Sequence, residues 1–244
     1  MLELTLNNEM KLSPIMKDIY RRLRTNIEFT GVENKVICIT SCEANDGKSS
    51  VSYQLSRIFA EDDKKVLLID ADMRNSVFSR RLGYEKDMTG LSHYLSGKET
   101  MMNVMYSTNI RNLYMIPTGI FPKNPTELMN RERFDKLIEA VKKAFDYVII
   151  DTPPLGMVVD AAVVAKKCDG SILVISADAI SRRAANAVKT QLAQANPNLL
   201  GVILNKVDTK HSVYGKKYGY GYGYGYGYGY GYGYGYGHEQ EEGK

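Results

Sequence analysis

The sequence predicts an α/β fold with a doubly wound, mostly parallel sheet, followed by a disordered carboxyl-terminal tail. Apolar runs of strand length alternate with helical patterns from Val36 to Asn205, and this alternation is typical of parallel strands joined by helical crossovers. Three of the runs end in residues suited to phosphate or metal chemistry. After Lys217, tyrosine and glycine alternate, a composition that cannot build a packed core.

The first predicted element is an amphipathic helix near the amino terminus. Ser13 followed by Pro14 is typical of a helix start. Apolar residues then recur at a spacing of four, which predicts one buried stripe: Ile15, Ile19, Leu23 and Ile27. Charged residues three apart share a face away from that stripe: Asp18, Arg21 and Arg24. On the residues alone, this charged face is an ordinary solvated surface.

The next element is an apolar strand, Val36 to Ile39, followed by a polar loop and a helix start. Backbone N–H groups at such a start bind phosphates, Lys48 can neutralise their outer charge, and the Ser49 hydroxyl can ligate Mg²⁺. The sequence therefore predicts a site for a nucleoside triphosphate. Its nucleotide-binding residues form one run: Ala44, Asn45, Asp46, Gly47, Lys48, Ser49 and Ser50.

Two further strands deliver carboxylates at their ends. The run Val66 to Ile69 is followed by Asp70 and Asp72, and the run Tyr147 to Ile150 by Asp151. Ligands bind at the carboxyl edge of an open parallel sheet, so these carboxylates and the loop lysine are expected to converge there. The alternative is that the aspartates are turn residues or helix caps, an interpretation that applies most to Asp72.

The remaining elements complete the alternation. One long helix is predicted from Asn124 to Phe145, and later strands are predicted at 171–175 and 200–204. The apolar side of the long helix packs in the core: Leu128, Phe134, Leu137, Ile138 and Val141. Asn205 follows the last strand, and we interpret it as a nucleotide contact, with an ordinary strand-end asparagine as the alternative.

Composition narrows the class of protein. The chain has 244 residues, a hydrophobic fraction of 44% and a net charge of +4 with scattered basic pairs, so nucleic acid is not a favoured partner. Three cysteines without metal-ligand spacing indicate reduced thiols in a cytoplasm. No apolar run approaches the roughly 18 residues of a membrane span. Cys42, inside the phosphate loop, is either oxidation-sensitive or simply a small residue that fits.

The tail is the other unusual feature of the chain. Glycine at every second position raises the entropic cost of order, which predicts a flexible arm of roughly 30 residues. The arm either accepts phosphate or associates with itself through tyrosine stacking. The candidate phosphorylation sites are the tyrosines of the repeat: Tyr218, Tyr220, Tyr222, Tyr224, Tyr226, Tyr228, Tyr230, Tyr232, Tyr234 and Tyr236.

These motifs together carry a family resemblance. The loop from Ser41 to Ser50, the strand motif from Val66 to Arg74, the run Asp151 to Pro154 and the segment Asn124 to Leu128 occur in one chain with a tyrosine-rich tail. This combination resembles the bacterial tyrosine kinases of capsule and exopolysaccharide synthesis, of the cytoplasmic Gram-positive type. The likeness covers essentially the whole chain.

The resemblance implies an ATP-dependent protein-tyrosine kinase that autophosphorylates its tail between subunits and controls polysaccharide synthesis and export. It implies catalytic roles for Lys48, Asp70, Asp72 and Asp151. Mg²⁺ would be held by Ser49, Asp70 and Asp151. Asp70 and Asp72 are assigned jointly to metal and base, and the charged face of the first helix becomes an oligomer contact.

The resemblance also implies partners and a domain plan. A homo-oligomeric ring, a transmembrane polysaccharide co-polymerase adaptor that recruits the kinase to the inner face of the cell membrane, and a cognate tyrosine phosphatase are expected. Residues 1–30 would form an oligomerisation helix region, 31–212 the phosphate-loop kinase core and 213–244 the flexible tail.

Two departures from the family pattern affect these expectations. Ala44 and Asn45 stand where the loop usually has proline and glycine, and asparagine tolerates positive φ better than most residues. Asp18 replaces a longer glutamate in the helix motif. The alternatives are a partitioning or division ATPase of the same fold, or a nucleotide-binding scaffold with an adhesive tail. Cys42-Glu43 in place of the early loop lysine of those ATPases disfavours the first alternative.

Overall fold

The computed structural model describes residues 2–8, 10–85 and 88–207, so the predicted phosphorylation sites in the tail lie outside the described residues. One mostly parallel sheet forms the centre of this part of the chain, with strands in the order β1-β4-β5-β3-β6-β2-β7-β8. The strands are β1 Leu2–Leu4, β2 Val36–Ser41, β3 Val66–Asp70, β4 Tyr106–Thr108, β5 Leu113–Ile116, β6 Tyr147–Asp151, β7 Gly170–Ser176 and β8 Leu199–Asn205. The helices are α1 Pro14–Glu28, α2 Lys48–Glu61, α3 Phe78–Leu82, α4 Leu91–Leu95, α5 Pro125–Met129, α6 Glu132–Ala144, α7 Asp160–Ala165 and α8 Arg182–Ala195.

The chain winds outward in both directions from β2, which confirms the predicted doubly wound α/β fold. β6 and β7 flank β2 in parallel, and β4 against β5 is the antiparallel pair of the described sheet. Asp70 of β3 lies opposite Asp151 of β6 in the strand register. The two carboxylates therefore leave the sheet side by side at its carboxyl edge.

The central strands are apolar throughout because both of their faces are covered. Val36 and Cys38 of β2 contribute to the core on one face, while Ile37 and Ile39 contribute to the core on the other. All four side chains are fully buried. A continuous apolar run, rather than an alternating one, is the pattern expected of a parallel strand buried on both sides.

The helix predicted from Asn124 to Phe145 is two helices, so this prediction of a single element was wrong. Arg131 has extended backbone (φ −73°, ψ 150°) and separates α5 from α6. Six positions separate Leu128 from Phe134, so a continuous helix would direct these side chains about 120° apart. The break allows both to be buried, and the predicted apolar side, from Leu128 to Val141, is in the core.

Helix α1 begins as predicted, since Ser13 caps it by accepting a hydrogen bond from the Met16 N–H. The predicted stripe is only partly its buried face, since Ile27 is buried and Leu23 is half-buried against the core. Ile15 and Ile19 are 60% and 42% exposed, whereas Tyr20 and Ile27 are buried. The core that includes residues of α2 covers Ile27, at the carboxyl end of the stripe, together with Tyr20. Arg24 pairs with Asp62 just beyond α2. Within the described ranges, no helix is both long and apolar enough to cross a bilayer.

Candidate active site

The phosphate loop lies between the end of β2 and the start of α2. Asn45 has φ 68° and Gly47 has φ 94°, so the loop makes two left-handed turns. Asn45 therefore has the positive φ that its position in the loop was expected to require, and asparagine tolerates this conformation better than most residues. A Cβ atom at Gly47 would lie 2.1 Å from Asn205 Nδ2, so steric contact as well as φ restricts this position to glycine.

Side chains around the loop hold its backbone in place. Asp46 is buried and accepts hydrogen bonds from the N–H groups of Glu43 (2.8 Å) and Ser176 (3.3 Å). Asn205 Nδ2 donates to the Asp46 carbonyl (2.8 Å), and Lys206 Nζ donates to the Asn45 carbonyl (2.6 Å). The structure thus places Asn205, a predicted nucleotide contact, against the loop backbone, where it supports the loop.

Lys48 is the centre of the charged cluster. Its Nζ lies 2.9 Å from Asp72 Oδ2, 3.2 Å from Ser49 Oγ and 3.6 Å from Asp151 Oδ2. Burial by itself would lower the pKa of Lys48, but the carboxylates of Asp151 and Asp72 raise it above its ordinary value. Lys48 is therefore a fixed positive charge at the first turn of α2.

Asp151 links the loop helix to the sheet edge. Its Oδ2 accepts from Ser49 Oγ (2.7 Å), and its Oδ1 accepts from Ser52 Oγ (2.9 Å). Burial raises the pKa of Asp151, although Lys48 and the Ser49 hydroxyl oppose that increase. The pattern did not identify Ser52, although its position four residues after Lys48 places it on the same side of α2.

Asp70 and Asp72 have different surroundings. Asp70 is fully buried and accepts hydrogen bonds from the Asp72 N–H (3.2 Å) and from the Ser76 hydroxyl. Burial, followed by the charge of Asp151, raises the pKa of Asp70 to about 7. Asp72 faces the cavity beside the loop. It accepts hydrogen bonds from the Asn75 N–H (3.0 Å) and from Lys48. The four side chains predicted to converge thus lie together.

An open cavity of about 680 Å³ lies in front of this cluster. Its walls come from the phosphate loop, from the segment after β3 and from the segment after β6. Its walls place the loop and Lys48 where the phosphates of a nucleotide would lie. Lining residues include Gly47, Lys48, Ser49, Asp72, Arg81 and Pro153.

The donor set fits Mg²⁺ that keeps water and phosphate ligands. Within residues 2–8, 10–85 and 88–207, no three histidine, cysteine, aspartate or glutamate side chains are arranged to hold a metal by themselves. Mg²⁺ is commonly bound by one or two carboxylates plus substrate phosphates. The Ser49 hydroxyl beside the Asp151 carboxylate supplies such a partial set, and Asp70 lies next to Asp151 in the sheet.

A second charged cluster was not identified from the sequence. Arg74 donates hydrogen bonds to the buried Asp160 carboxylate through Nε (2.5 Å) and Nη2 (3.1 Å). Thr126 Oγ1 donates to the same carboxylate (2.5 Å). These three residues tie the segment after β3 to α5 and α7. Arg74 and Thr126 lie in the motifs that carried the family resemblance, but nothing in the local pattern pointed to Asp160 as their partner.

The residues predicted for oligomerisation divide into two groups. Asp18 and Arg21 are exposed and pair with each other (3.3 Å). Arg24 pairs within its own chain with Asp62 (2.9 Å) and Glu28 (3.7 Å). Only the first two therefore present free faces in the described part of the chain.

Cys42 is 1% exposed in the loop. Burial and the nearby carboxylates of Asp46 and Glu43 raise the pKa of its thiol to about 11. A protonated, inaccessible thiol is unreactive. The structure favours the interpretation of Cys42 as a small residue that fits its place.

Comparison with known sequences gives consistent results. A family model described as an AAA domain matches residues 34–200. The chain is 43% identical to tyrosine-protein kinase CpsD of Streptococcus agalactiae serotype III (strain NEM316) over 86% of this chain and 90% of that protein. It is 39% identical to tyrosine-protein kinase YwqD of Bacillus subtilis (strain 168) over 80% of this chain and 84% of that protein.

Solved structures agree with the sequence comparison. The kinase domain of the Escherichia coli tyrosine kinase ETK superposes with a TM-score of 0.76 at 35% identity, over 88% of this chain and 80% of that one. The septum site-determining protein MinD of Pyrococcus horikoshii OT3, complexed with Mg-ADP, gives a TM-score of 0.60 at 26% identity, over 70% of this chain and 69% of that one.

Proposed function

The chain belongs to the bacterial tyrosine-protein kinases, and from this premise we propose that it transfers the γ-phosphoryl group of ATP to the tyrosines of its own tail, between subunits. The observation that carries this proposal is the convergence of Lys48, Ser49, Asp72 and Asp151 within hydrogen-bonding reach at the cavity. Phosphoryl transfer needs mainly positioning and charge neutralisation. This cluster supplies both.

The proposed chemistry assigns each group a task. Lys48 and the N–H groups of the loop neutralise phosphate charge. Ser49 and Asp151 would hold Mg²⁺, which would add further positive charge at the phosphates. Asp70 and Asp72 share the roles of metal ligand and base. One of them takes the tyrosine proton while the tyrosine oxygen bonds to the γ-phosphorus and the bond from that phosphorus to the bridging oxygen breaks, releasing ADP.

A base is required because a tyrosine hydroxyl has a pKa of about 10 and is a poor nucleophile at neutral pH. Asp70 is buried against the neighbouring carboxylate of Asp151, an environment that makes its carboxylate hold a proton more tightly than usual. Asp72 is the carboxylate that faces the cavity. The two differ in access to the cavity, which fits a division of labour between them.

We propose that α1 joins subunits in a ring. Ile15, Met16 and Ile19 are exposed on its outer side, next to the exposed pair Asp18 and Arg21. Apolar residues bordered by charged ones suit a protein contact. Such a contact would bring the tail of one subunit to the cavity of its neighbour.

We further propose that the kinase acts at the inner face of the cell membrane, through a transmembrane polysaccharide co-polymerase adaptor, and that a tyrosine phosphatase reverses its modification. Support comes from the resemblance to kinases of capsule and exopolysaccharide synthesis. Phosphorylation would also loosen the ring. Each phosphotyrosine adds about −1.5 to −2 charges, so roughly three exceed the chain's net charge of +4.

Intact-mass spectrometry after incubation with Mg-ATP tests the kinase proposal. The wild type should gain phosphates, Lys48→Met should gain none, and a chain truncated after Val213 should lose most of the gain. Lys143→Met removes an exposed lysine outside the cavity and serves as the matched control. ATP hydrolysis without any added phosphate would contradict the proposal and favour a switch ATPase of the same fold.

A further inference from the structure

Among the described residues, three cationic side chains line the cavity: Lys48, Arg74 and Arg81. Two of them are neutralised by carboxylates of the same chain. Lys48 is paired with Asp72 and Asp151, and Arg74 is paired with Asp160. Their charges are therefore shared between a bound anion and the protein.

Arg81 differs from the other two. It lies near the end of α3, and its Nη1 donates to the hydroxyl of Ser50 at 2.5 Å. Among the residues that the structure describes, no carboxylate pairs with Arg81, so its charge is not neutralised by the chain around it. The neighbouring Arg80 is exposed and does not line the cavity.

The position of Ser50 indicates where an anion would meet Arg81. Lys48 and Ser49 belong to the group that includes Asp72 and Asp151, which is the end of the site where the proposed transfer occurs. Ser50 follows them in α2 and points to α3 instead. Arg81 therefore lies beside the loop but outside the group of carboxylates that would hold Mg²⁺ and accept the proton.

We propose that Arg81 binds the phosphates that remain on the nucleotide, so that it is a binding residue for ATP and ADP alike. The inference rests on the proposed function only in taking a nucleotide as the ligand. A planar guanidinium offers several N–H donors in a geometry that matches phosphate oxygens. An arginine without a carboxylate partner also loses no ion pair when it turns to a phosphate.

The proposal has a distinctive kinetic consequence. An interaction made equally with ATP, with the transition state and with ADP lowers KM without changing kcat for the chemical step. Removal of Arg81 should therefore raise the dissociation constants of both nucleotides by the same factor. A charge-assisted hydrogen bond of ordinary strength corresponds to about tenfold to a hundredfold in affinity.

Isothermal titration calorimetry of the full chain with Mg-ADP, and with a non-hydrolysable ATP analogue, tests this. Arg81→Gln should weaken both ligands equally, Arg81→Lys should weaken them less, and Arg80→Gln should bind like the wild type. Thermal melting without nucleotide should show the same melting temperature for all four proteins. Saturating ATP should restore the rate of tail phosphorylation in Arg81→Gln.

Two outcomes would overturn the inference. Unchanged affinity for both nucleotides in Arg81→Gln would show that Arg81 does not contact phosphate. A selective loss of affinity for the ATP analogue, or a fall in kcat at saturating ATP, would place Arg81 at the transferred group or the acceptor. Because calorimetry requires no phosphorylation, a failure of the tail-kinase proposal would leave this test intact.

Discussion

The carboxyl edge of the sheet and the outer face of α1 differ in whether their side chains have partners within the same chain. At the sheet edge, Asp70, Asp151 and Lys48 are buried and bonded to groups of the same chain. On α1, Ile15 and Ile19 stand exposed. The first region is complete within one subunit, whereas the second offers apolar surface that another molecule could cover. One chain can therefore assemble the proposed groups for phosphoryl transfer by itself, whereas bringing a tyrosine acceptor to them would depend on a contact with another subunit.

Asp151→Asn is expected to give the largest effect, because it removes the carboxylate that pairs with Lys48 and Ser49 at the sheet edge. An amide carries no charge to balance Lys48 and is a weaker metal ligand than a carboxylate. Tail phosphorylation should fall by about 10²- to 10³-fold. The rate is measured by intact mass at fixed times. Asp146→Asn, the same change at the amino end of β6, is the control, and equal rates for the two variants would refute the role of Asp151.

Replacing Ile15 and Ile19 together by asparagine tests whether the exposed face of α1 joins subunits. Loss of this apolar area should raise the dissociation constant for self-association about tenfold to a hundredfold. Sedimentation velocity over a concentration series measures it. The ADP affinity should stay unchanged because α1 lies outside the cavity. Met102→Asn alters another exposed apolar residue, and a ring that survives the double change but not this one would contradict the assignment.

Asp70→Asn should stabilise the fold while impairing transfer. The folded-state pKa of Asp70 is raised to about 7. The stability associated with its protonated carboxyl group is therefore fully present below the unfolded pKa and is lost as the pH rises from that value through 7. At about 1.4 kcal/mol per pKa unit, the variant's advantage should be on the order of 4 kcal/mol at pH 8 and smaller at pH 5. Thermal melting in EDTA at both pH values measures it. A variant less stable than wild type at pH 8 would refute this account.

Cys42→Ala should give the smallest effect. With its pKa raised to about 11, the buried Cys42 thiol stays protonated below that pH, so iodoacetamide at pH 8 should modify it slowly. Nucleotide affinity of the variant should stay within about twofold, because a small residue suffices at this position. Peptide mapping and calorimetry provide the two measurements. Rapid alkylation that blocks ADP binding would revive the oxidation-sensitive interpretation.

The parts of the fold that could be predicted are those that a short stretch of sequence determines, such as an apolar strand and the residues that directly follow it. Val66 to Ile69 is apolar on both faces and ends in carboxylates, so its burial and the position of Asp70 follow from the sequence. The short strands β1, β4 and β5 were not predicted, because three or four residues give too little periodicity. The buried face of α1 was predicted only in part, because contacts with other elements decide that Ile27 is covered while Ile15 and Ile19 stay exposed.

The site shows the same limit. Convergence of Lys48, Asp72 and Asp151 follows from strand order, which a parallel sheet enforces. The partners Asp160 and Arg81 depend on how α7 and α3 pack, and that packing has no local signature. The left-handed Asn45 was predictable from the intrinsic tolerance of asparagine, whereas the support of the loop by Asn205 and Lys206 was not.

The strand order has a consequence for synthesis on the ribosome. β2 carries the phosphate loop, but its sheet neighbours β6 and β7 begin at Tyr147 and Gly170. At roughly 5–20 residues per second, translation needs several seconds to reach them. Until then the cavity lacks the wall that follows β6, and Lys48 lacks Asp151. The nascent chain therefore emerges with its nucleotide site unformed, and the tyrosines of the tail are made only after the site that would modify them has its parts.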